Sequence, residues 1–285
     1  MQVGIGLPGT IPGVPGSLIL DWARRADAGP FATLATLDRL VYPNYDALIA
    51  LAAAASVTQR IRLMTTVLLA PLHSAALLAK QAASLDALSG GRLTLGLGIG
   101  SREDDFRAAE QDFHTRGRRF EAQLATLRRL WDGQPLTEST RAIGPAPAQA
   151  GGPELLIGGY SPPAIARVAR WAAGYIAGGA SPPQAQQGYA QVEVAWQAAG
   201  RTGKPRFVCS SYFGLGDNAR EKGSEYILNY YGGQYGQRIA SGFPTTPEAI
   251  KQTVEAFAAI GAEEVILWPT IPELDQVDRL AAIVN

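Results

Sequence analysis

The sequence predicts a (β/α)8 barrel of the TIM type, with insertions after the fourth and the seventh strand. Short apolar runs alternate with helical segments along the whole 285-residue chain, and eight such pairs can be counted. The apolar runs are continuous, which is typical of parallel strands covered by helices. The length also fits a barrel, which usually takes about 250 residues. We expect one domain over residues 1–285, with a doubly wound open sheet as the alternative.

Eight segments have the length and composition of strands, and turn residues or helical segments separate them. The strongest is the third, IRLMTTVLL, and the second is weaker. In chain order, the predicted strands are Val3–Leu7, Phe31–Leu37, Ile61–Leu69, Arg92–Gly98, Glu154–Ile157, Tyr175–Ala177, Arg206–Tyr212 and Glu264–Trp268.

Helices are predicted in the intervals. We expect Ser17 to cap the first helix and the pair Gly90–Gly91 to end the third. The predicted helices are Leu18–Ala28, Asp46–Ser56, Ala75–Leu88, Gly117–Trp131, Pro163–Ala172, Pro182–Ala199, Pro247–Ile260 and a last one from about Glu273.

Two stretches interrupt the alternation. Residues 133–153 are rich in proline and glycine and have no apolar core of their own. Ala219–Gly242 is rich in tyrosine, with tyrosines at helical spacings that suit either a lid over an aromatic pocket or core packing. These are Tyr226, Tyr230, Tyr231 and Tyr235.

Composition excludes several function classes. Lys+Arg and Asp+Glu are 25 each, so the chain lacks the basic excess of a nucleic-acid-binding protein. No signal peptide and no apolar stretch of about 20 residues is visible, so we expect a cytoplasmic protein without a membrane partner. The single cysteine, Cys209, lies in a predicted strand, and we expect no redox role for it. With two histidines and no C-x-x-C or H-E-x-x-H motif, we expect no metal site.

In a TIM barrel the active site lies at the carboxyl ends of the strands. Asp38 and Arg39 end the second predicted strand, and His73 follows the third. They are the candidate catalytic residues. The alternatives are that a loop aspartate caps a helix or turn and that a loop histidine is solvated.

The fifth and sixth strands both end in glycine pairs, Gly158–Gly159 and Gly178–Gly179, each followed by the start of a helix. Free backbone amides and the helix dipole suit a phosphate at such turns, and Ser161 could add a hydroxyl. An ordinary turn with a helix cap is the alternative interpretation.

The run GLGIGS, residues 96–101, follows the fourth strand. It lacks the third glycine of a dinucleotide-binding fingerprint, because Ser101 stands there. Glycines at this place suit crowded strands or a flat ligand lying on the backbone.

These motifs together resemble a known family. The segment AKQAASLDALSGGRLTLGLGIGSREDDF, residues 79–106, resembles the hallmark stretch of the bacterial luciferase-like flavin-dependent oxidoreductases. Leu156–Ser161 and the ending Gly261–Pro269 are also similar to that family, and the resemblance runs from Val3 to the C-terminus.

The resemblance implies a barrel that binds reduced FMN, or the deazaflavin F420, at its mouth. Asp38 would lie near the flavin ring, and the bulge Thr65–Val67 would contact one ring face, with a cis peptide at Thr66–Val67. Residues expected to hold or border the cofactor are Thr66, Val67, Ser101, Asp104, Gly158, Gly159, Ser161, Gly178 and Gly179. Many F420-using members have a histidine after the aspartate, where this chain has Arg39.

The implied function is a monooxygenase that uses reduced FMN and O2 on a small organic substrate. A separate flavin reductase would be its partner, and a homodimer is common in the family. Two alternatives stay open: an F420-dependent reductase or dehydrogenase that transfers hydride, and a flavin-binding barrel without catalytic activity.

Overall fold

The computed structural model describes residues 1–285 and contains a closed barrel of eight parallel strands. The strands pair in chain order, and β1 closes the barrel against β8. The predicted barrel is therefore confirmed, and the open-sheet alternative is wrong. The strands are β1 Gln2–Gly6, β2 Thr33–Thr36, β3 Arg62–Leu69, β4 Leu93–Gly98, β5 Glu154–Gly158, β6 Gly174–Ala177, β7 Arg206–Phe213 and β8 Glu264–Pro269.

Eleven α-helices surround the barrel, and short 3-10 turns follow β1 and β3. The helices are α1 Gly16–Ala28, α2 Ala47–Ala55, α3 Ala75–Leu88, α4 Glu103–Ala108, α5 Arg116–Trp131, α6 Pro162–Trp171, α7 Pro182–Ala198, α8 Ala219–Tyr231, α9 Gly233–Gly242, α10 Pro247–Ala259 and α11 Asp275–Val284. No helix of the chain is long and apolar enough to cross a bilayer.

The start of α1 differs from the prediction. The N-cap is Pro15, not Ser17, and no side chain caps the helix. The proline is held in an extended conformation, with φ −74° and ψ 149°, and Gly16 after it is already helical. Ser17 is therefore inside the first turn, where its hydroxyl cannot act as the cap.

Helix α4 was not predicted. It has six residues, and its first turn carries Glu103, Asp104 and Asp105. Negative charges at a helix N-terminus are stabilising, because the free amides there are partially positive. A helix this short has too few apolar positions to show a helical period.

The core is one cluster of 65 buried apolar residues that includes all eight strands and the inner faces of the helices. Trp22 of α1, Phe120 of α5 and Phe257 of α10 are among the large side chains buried between helices and barrel. Burial on this scale supplies the main driving force for folding.

At the base of the barrel, the first residues of several strands form an ionic cluster. Arg206 donates to both Glu154 and Glu264, and its Nη2 lies 2.5 Å from Glu264 Oε2. The Thr94 hydroxyl, 2.8 Å from both Glu154 Oε2 and Arg62 Nη2, joins Arg62 to the cluster. Because removing one partner of a buried ion pair leaves an uncompensated charge, this cluster is sensitive to any single truncation.

Candidate active site

The inner wall of the site begins with a bulge in β3. The pairing of β3 with β4 shifts register between Thr65 and Leu68, and the Thr66–Val67 peptide is cis, as predicted. The Thr65 hydroxyl donates to the Gly96 carbonyl at 2.7 Å. The hydroxyl oxygen of Thr66 is buried and has no hydrogen-bond partner in the protein. Such an orphaned group suits a ligand that brings its own polar atom.

Two glycines make room for Val67. A Cβ on Gly98 would lie 2.6 Å from Val67 Cγ2, and a Cβ on Gly158 would lie 3.1 Å from Val67 Cγ1. A Cβ on Gly96 would collide with the carbonyl oxygen of Thr65. The glycines of β4 are therefore explained by the close approach of the β3 bulge, which is the crowding that the sequence suggested.

Asp38 and His73 meet at the end of β3, as their places in the sequence predicted. Asp38 Oδ2 accepts from the Leu69 amide at 2.9 Å and lies 3.9 Å from His73 Nε2. The turn that carries His73 is held by Gln123, whose side-chain amide donates to the His73 carbonyl at 2.6 Å. A small movement would bring the carboxylate and the imidazole into hydrogen-bonding distance. The pair can then orient the ring and move a proton.

Arg39 lies beside this pair, but most of its guanidinium is occupied by the protein. Its Nε donates to Asp105 Oδ2 at 2.7 Å, and Nη2 lies 3.5 Å from Asp104. Asp105 also accepts from the amides of Leu40 and Val41. The ion pair thus ties the loop after β2 to α4, while Nη1 of Arg39 stays buried without a partner.

Asp105 was missed by the sequence analysis, which selected its neighbour Asp104. Asp105 is almost fully buried, whereas the Asp104 side chain is 50% exposed. The only sequence signal was the acidic run Glu103–Asp105, which does not distinguish the buried carboxylate from the exposed ones. The partnership with Arg39 spans 66 residues of chain.

Helix α8 lies across the mouth, since it contacts residues that follow β1, β2 and β4 and a residue near the end of β7. Tyr226 and Thr10 share a hydrogen bond of 2.6 Å between their hydroxyls, and Tyr212 and Tyr231 share one of 2.9 Å. Arg102 donates to the carbonyls of Tyr230 and Tyr231 at the end of the helix. The ring of Tyr42 packs edge-on against Tyr230. The segment suggested as a lid is thus fixed to the mouth by polar contacts.

Burial raises the pKa of several of these phenols, including Tyr212, Tyr226, Tyr230 and Tyr231. The charged phenolate is poorly solvated among neighbouring rings. The hydroxyls are therefore neutral hydrogen-bond donors and acceptors across the physiological range of pH. They close the mouth without adding charge to it.

At the other side of the mouth, the two glycine pairs differ in whether the backbone could carry a side chain. Gly159 has φ +136°, and a Cβ on it would lie 2.8 Å from Ala164 Cβ, so the turn itself needs glycine. A Cβ on Gly178 would meet nothing nearer than Ser210 Oγ at 3.9 Å. The protein leaves space at Gly178, next to a cavity of about 350 Å³.

The remaining predicted residues lie at the rim. Ser161 is the N-cap of α6 but makes no side-chain capping bond. Ser101 is exposed and follows the positive-φ residue Gly100. Tyr160, which the sequence analysis did not select, donates to the Gly178 carbonyl at 2.8 Å and fixes that turn.

The residues present fit a flavin-type cofactor. The orphaned Thr66 hydroxyl and the orphaned Arg39 Nη1 provide buried polar atoms without protein partners, and Gly178 leaves room at the glycine turn. No group of three or more His, Cys, Asp or Glu side chains is placed to hold a metal ion.

The fold and the site define a TIM-barrel oxidoreductase. The family model of the luciferase-like monooxygenases matches residues 1–266, so the chain belongs to that family.

Among curated proteins, an uncharacterised protein of Mycobacterium tuberculosis is 33% identical over 171 residues, which are 56% of this chain and 57% of that protein. The matched region thus spans a little over half the length of that relative.

Solved structures share the whole fold. The monooxygenase RslO1 from Streptomyces bottropensis superposes with a TM-score of 0.80 at 21% identity, over 99% of this chain and 97% of that one. An F420-dependent secondary alcohol dehydrogenase, in complex with an F420–acetone adduct, gives 0.79 at 15% identity, over 100% and 98%. The oxygenating constituent of 3,6-diketocamphane monooxygenase from Pseudomonas putida, in complex with FMN, gives 0.75 at 17% identity, over 99% and 94%.

Proposed function

We propose that this protein is a monooxygenase that uses reduced FMN and O2 to oxidise a small organic substrate. The observation that favours a monooxygenase over an F420-dependent enzyme is the arginine at position 39. Many F420-dependent members of the family have a histidine at this position, whereas here the guanidinium is bound to Asp105 at 2.7 Å. An arginine stays protonated and cannot donate a proton to a reacting group.

Reduced FMN, when bound, would supply the electrons that activate O2. The chain's part is to bind and orient it. In this proposal Val67 and the cis peptide before it would hold the ring system, and the free Thr66 hydroxyl would offer it a hydrogen bond. Gly158, Gly159, Gly178 and Gly179 line the phosphate end.

The chain must also exclude water from the reacting atoms, because water would compete with the organic substrate. Helix α8 serves this role in the proposal, since its tyrosines are buried and hydrogen-bonded to the loops of the mouth. Asp38 orients His73, and the imidazole holds or moves the proton that the reaction requires. The substrate would lie between this pair and α8.

We further propose that a separate flavin reductase supplies the reduced cofactor. All eight strands of the chain belong to the one barrel.

An F420-dependent reductase or dehydrogenase is the second candidate. It is favoured by the structural likeness to the F420-dependent secondary alcohol dehydrogenase, which is nearly as high as that to RslO1. In this alternative the Asp38–His73 pair would exchange the proton that accompanies hydride transfer.

Affinities for reduced FMN and for F420, measured side by side, test the proposal. We expect reduced FMN to bind, and an oxygenated product to form from at least one ketone, aldehyde or phenol of a panel when O2 is present, with less H2O2 released than without substrate. Binding of F420 alone, seen as quenching of its fluorescence, would support the second candidate. Binding of FMN without turnover of any substrate would favour a flavin-binding barrel without catalytic activity.

A further inference from the structure

The cavity beside Gly178 is formed by two helices and a glycine turn. One wall is a face of α7, with Gln184, Gln187, Gly188 and Gln191, and the other is a face of α9. Of the ten lining residues, only Arg238 on α9 carries a charge.

Arg238 and Tyr235 are three residues apart on α9, so both side chains lie on one face of the helix. The Tyr235 hydroxyl contacts the backbone at Gly179, at the place a Cβ would occupy, and Gly179 has φ +65°. Two hydrogen-bond donors, one of them cationic, thus meet the end of β6. Burial raises the pKa of Tyr235, so its hydroxyl keeps its proton.

No carboxylate neutralises Arg238. None of the ion pairs of the chain includes it. It also lines a second cavity of about 590 Å³, whose only other charged residue is Arg220. Neither cavity is lined by aspartate or glutamate. The charged side chains that line these two cavities are therefore all cationic, which favours an anionic ligand.

The start of α7 adds to this attraction. The helix begins at Pro182, immediately after Gly179, Ala180 and Ser181, so its N-terminal dipole is directed at the same region. The Gly179 amide has only a long contact of 3.4 Å, to Ser210 Oγ.

We infer that Arg238 and Tyr235 bind a phosphate group held against Gly178 and Gly179, so that α9 is part of the cofactor site. This inference rests on the proposed use of a flavin-type cofactor and adds residues that neither the sequence motifs nor the comparisons indicate. The phosphate is a terminal monoester in FMN and a diester in F420. The second cavity beyond Arg238 gives room for groups attached to a diester.

The test compares binding of reduced FMN with binding of reduced riboflavin, which lacks the phosphate, by anaerobic titration. For Arg238→Gln we expect about a tenfold loss of FMN affinity, the usual effect of removing a hydrogen bond to a charged group, and no change for riboflavin. Arg238→Lys should recover part of the loss. Tyr235→Phe should weaken FMN binding less than Arg238→Gln does.

Arg118→Gln is the matched control, because Arg118 is an exposed arginine on α5 that lines neither cavity. It should leave both affinities unchanged. The thermal midpoint of each variant shows that the fold is intact. Titration of the same variants with F420 shows whether the site binds a phosphate diester or a monoester. If only the affinity for F420 falls, the site binds the phosphate diester.

If Arg238→Gln keeps the wild-type preference for FMN over riboflavin, and F420 affinity is also unchanged, the inference is wrong while the proposed function stands. If the wild type binds neither FMN nor F420, the proposed function is wrong. Inorganic phosphate then decides the inference separately: binding to the wild type that is lost in Arg238→Gln supports it, and absence of such a difference overturns it.

Discussion

The two ends of the barrel use charge in opposite ways. At the base, Arg206 on β7 bonds to Glu154 on β5 and Glu264 on β8, and the charges neutralise each other. At the mouth, Arg238 has no carboxylate partner. Single buried atoms without a hydrogen-bond partner occur at both ends, Nη1 of Arg39 at the mouth and Nε of Arg62 and Oε1 of Glu264 at the base, so the ends differ in the pairing of whole charges. The base closes the barrel, whereas the mouth keeps polar groups available for a ligand.

The difference suggests that charged groups at the base stabilise the barrel, whereas charged groups at the mouth are available to bind a ligand. Charges satisfied within the chain hold strands together, and their loss is a loss of folding free energy. Groups left free at the carboxyl ends add little to stability and gain their partners on binding. Each prediction below changes the pH or one residue and measures stability, binding or turnover.

The largest effect should appear at high pH. Burial raises the pKa of Tyr212, Tyr226, Tyr230 and Tyr231 above the ordinary value of 10.0, so the folded state keeps protons that the unfolded state releases. Stability is then fully present below pH 10 and falls above it, by up to about 1.4 kcal/mol per pH unit for each phenol. Urea unfolding from neutral to alkaline pH, with tyrosinate absorbance, measures the slope. A flat profile above pH 10 would contradict the burial of these hydroxyls.

The next effect concerns the base. Glu264→Ala removes one partner of Arg206 and leaves the arginine charge partly uncompensated, which should cost about 3–5 kcal/mol of unfolding free energy. Urea denaturation measures the loss. The affinity ratio of FMN to riboflavin should not change, and Lys222→Ala, which breaks an exposed pair with Glu273, should cost less than about 1 kcal/mol. Equal losses of unfolding free energy in both variants would show that the buried cluster at the base stabilises the fold no more than an exposed ion pair does.

Asp38→Asn tests the proposed proton-moving role of the Asp38–His73 pair. Asparagine can still accept from the Leu69 amide, so the fold should persist, but the charge that orients His73 is lost. We expect turnover to fall by about 100-fold, with little change in FMN affinity. Asp104→Asn, at a half-exposed carboxylate on the same side of the mouth, is the control. Equal losses in both variants would show that Asp38 has no special role.

Gly178→Val tests the proposed phosphate end and should affect the fold less than Gly159→Val does. The protein itself leaves room for the side chain, so the thermal midpoint should stay near that of the wild type, while FMN affinity falls about tenfold and riboflavin affinity does not. Gly159→Val should instead destabilise the apo protein by about 1–3 kcal/mol, because the turn requires positive φ. An equal fall for both flavins in Gly178→Val would place the phosphate elsewhere.

The smallest effect is expected at Cys209. The thiol is buried in β7, and burial raises its pKa to about 12, so it is unreactive at neutral pH. Cys209→Ala should cost about 1 kcal/mol of stability and leave turnover unchanged. Labelling with a thiol reagent should require unfolding. Rapid labelling of the native protein, or loss of turnover in an intact fold, would show a functional thiol.

The sequence determined the barrel and the position of its mouth. Each strand has its own apolar run, and most helices have a cap or a helical period, so local patterns were sufficient for the barrel. They were not sufficient for the start of α1 or for the short helix α4. Asp38, His73 and the glycine pairs were also selected from the sequence as candidate site residues. Carboxyl ends of parallel strands must meet at one end of a barrel, so these residues lie near each other as soon as the topology is known.

What only the tertiary structure decided is which polar groups are paired. Arg39 is occupied because Asp105, 66 residues away, lies against it. Arg238 has no carboxylate partner, and its guanidinium lies 5.0 Å from the centre of the Tyr235 ring. Local sequence carries no signal for whether a distant carboxylate reaches either arginine. The distance between two charges depends on how distant loops pack, and that distance decides whether a side chain stabilises the fold or stays available for a ligand.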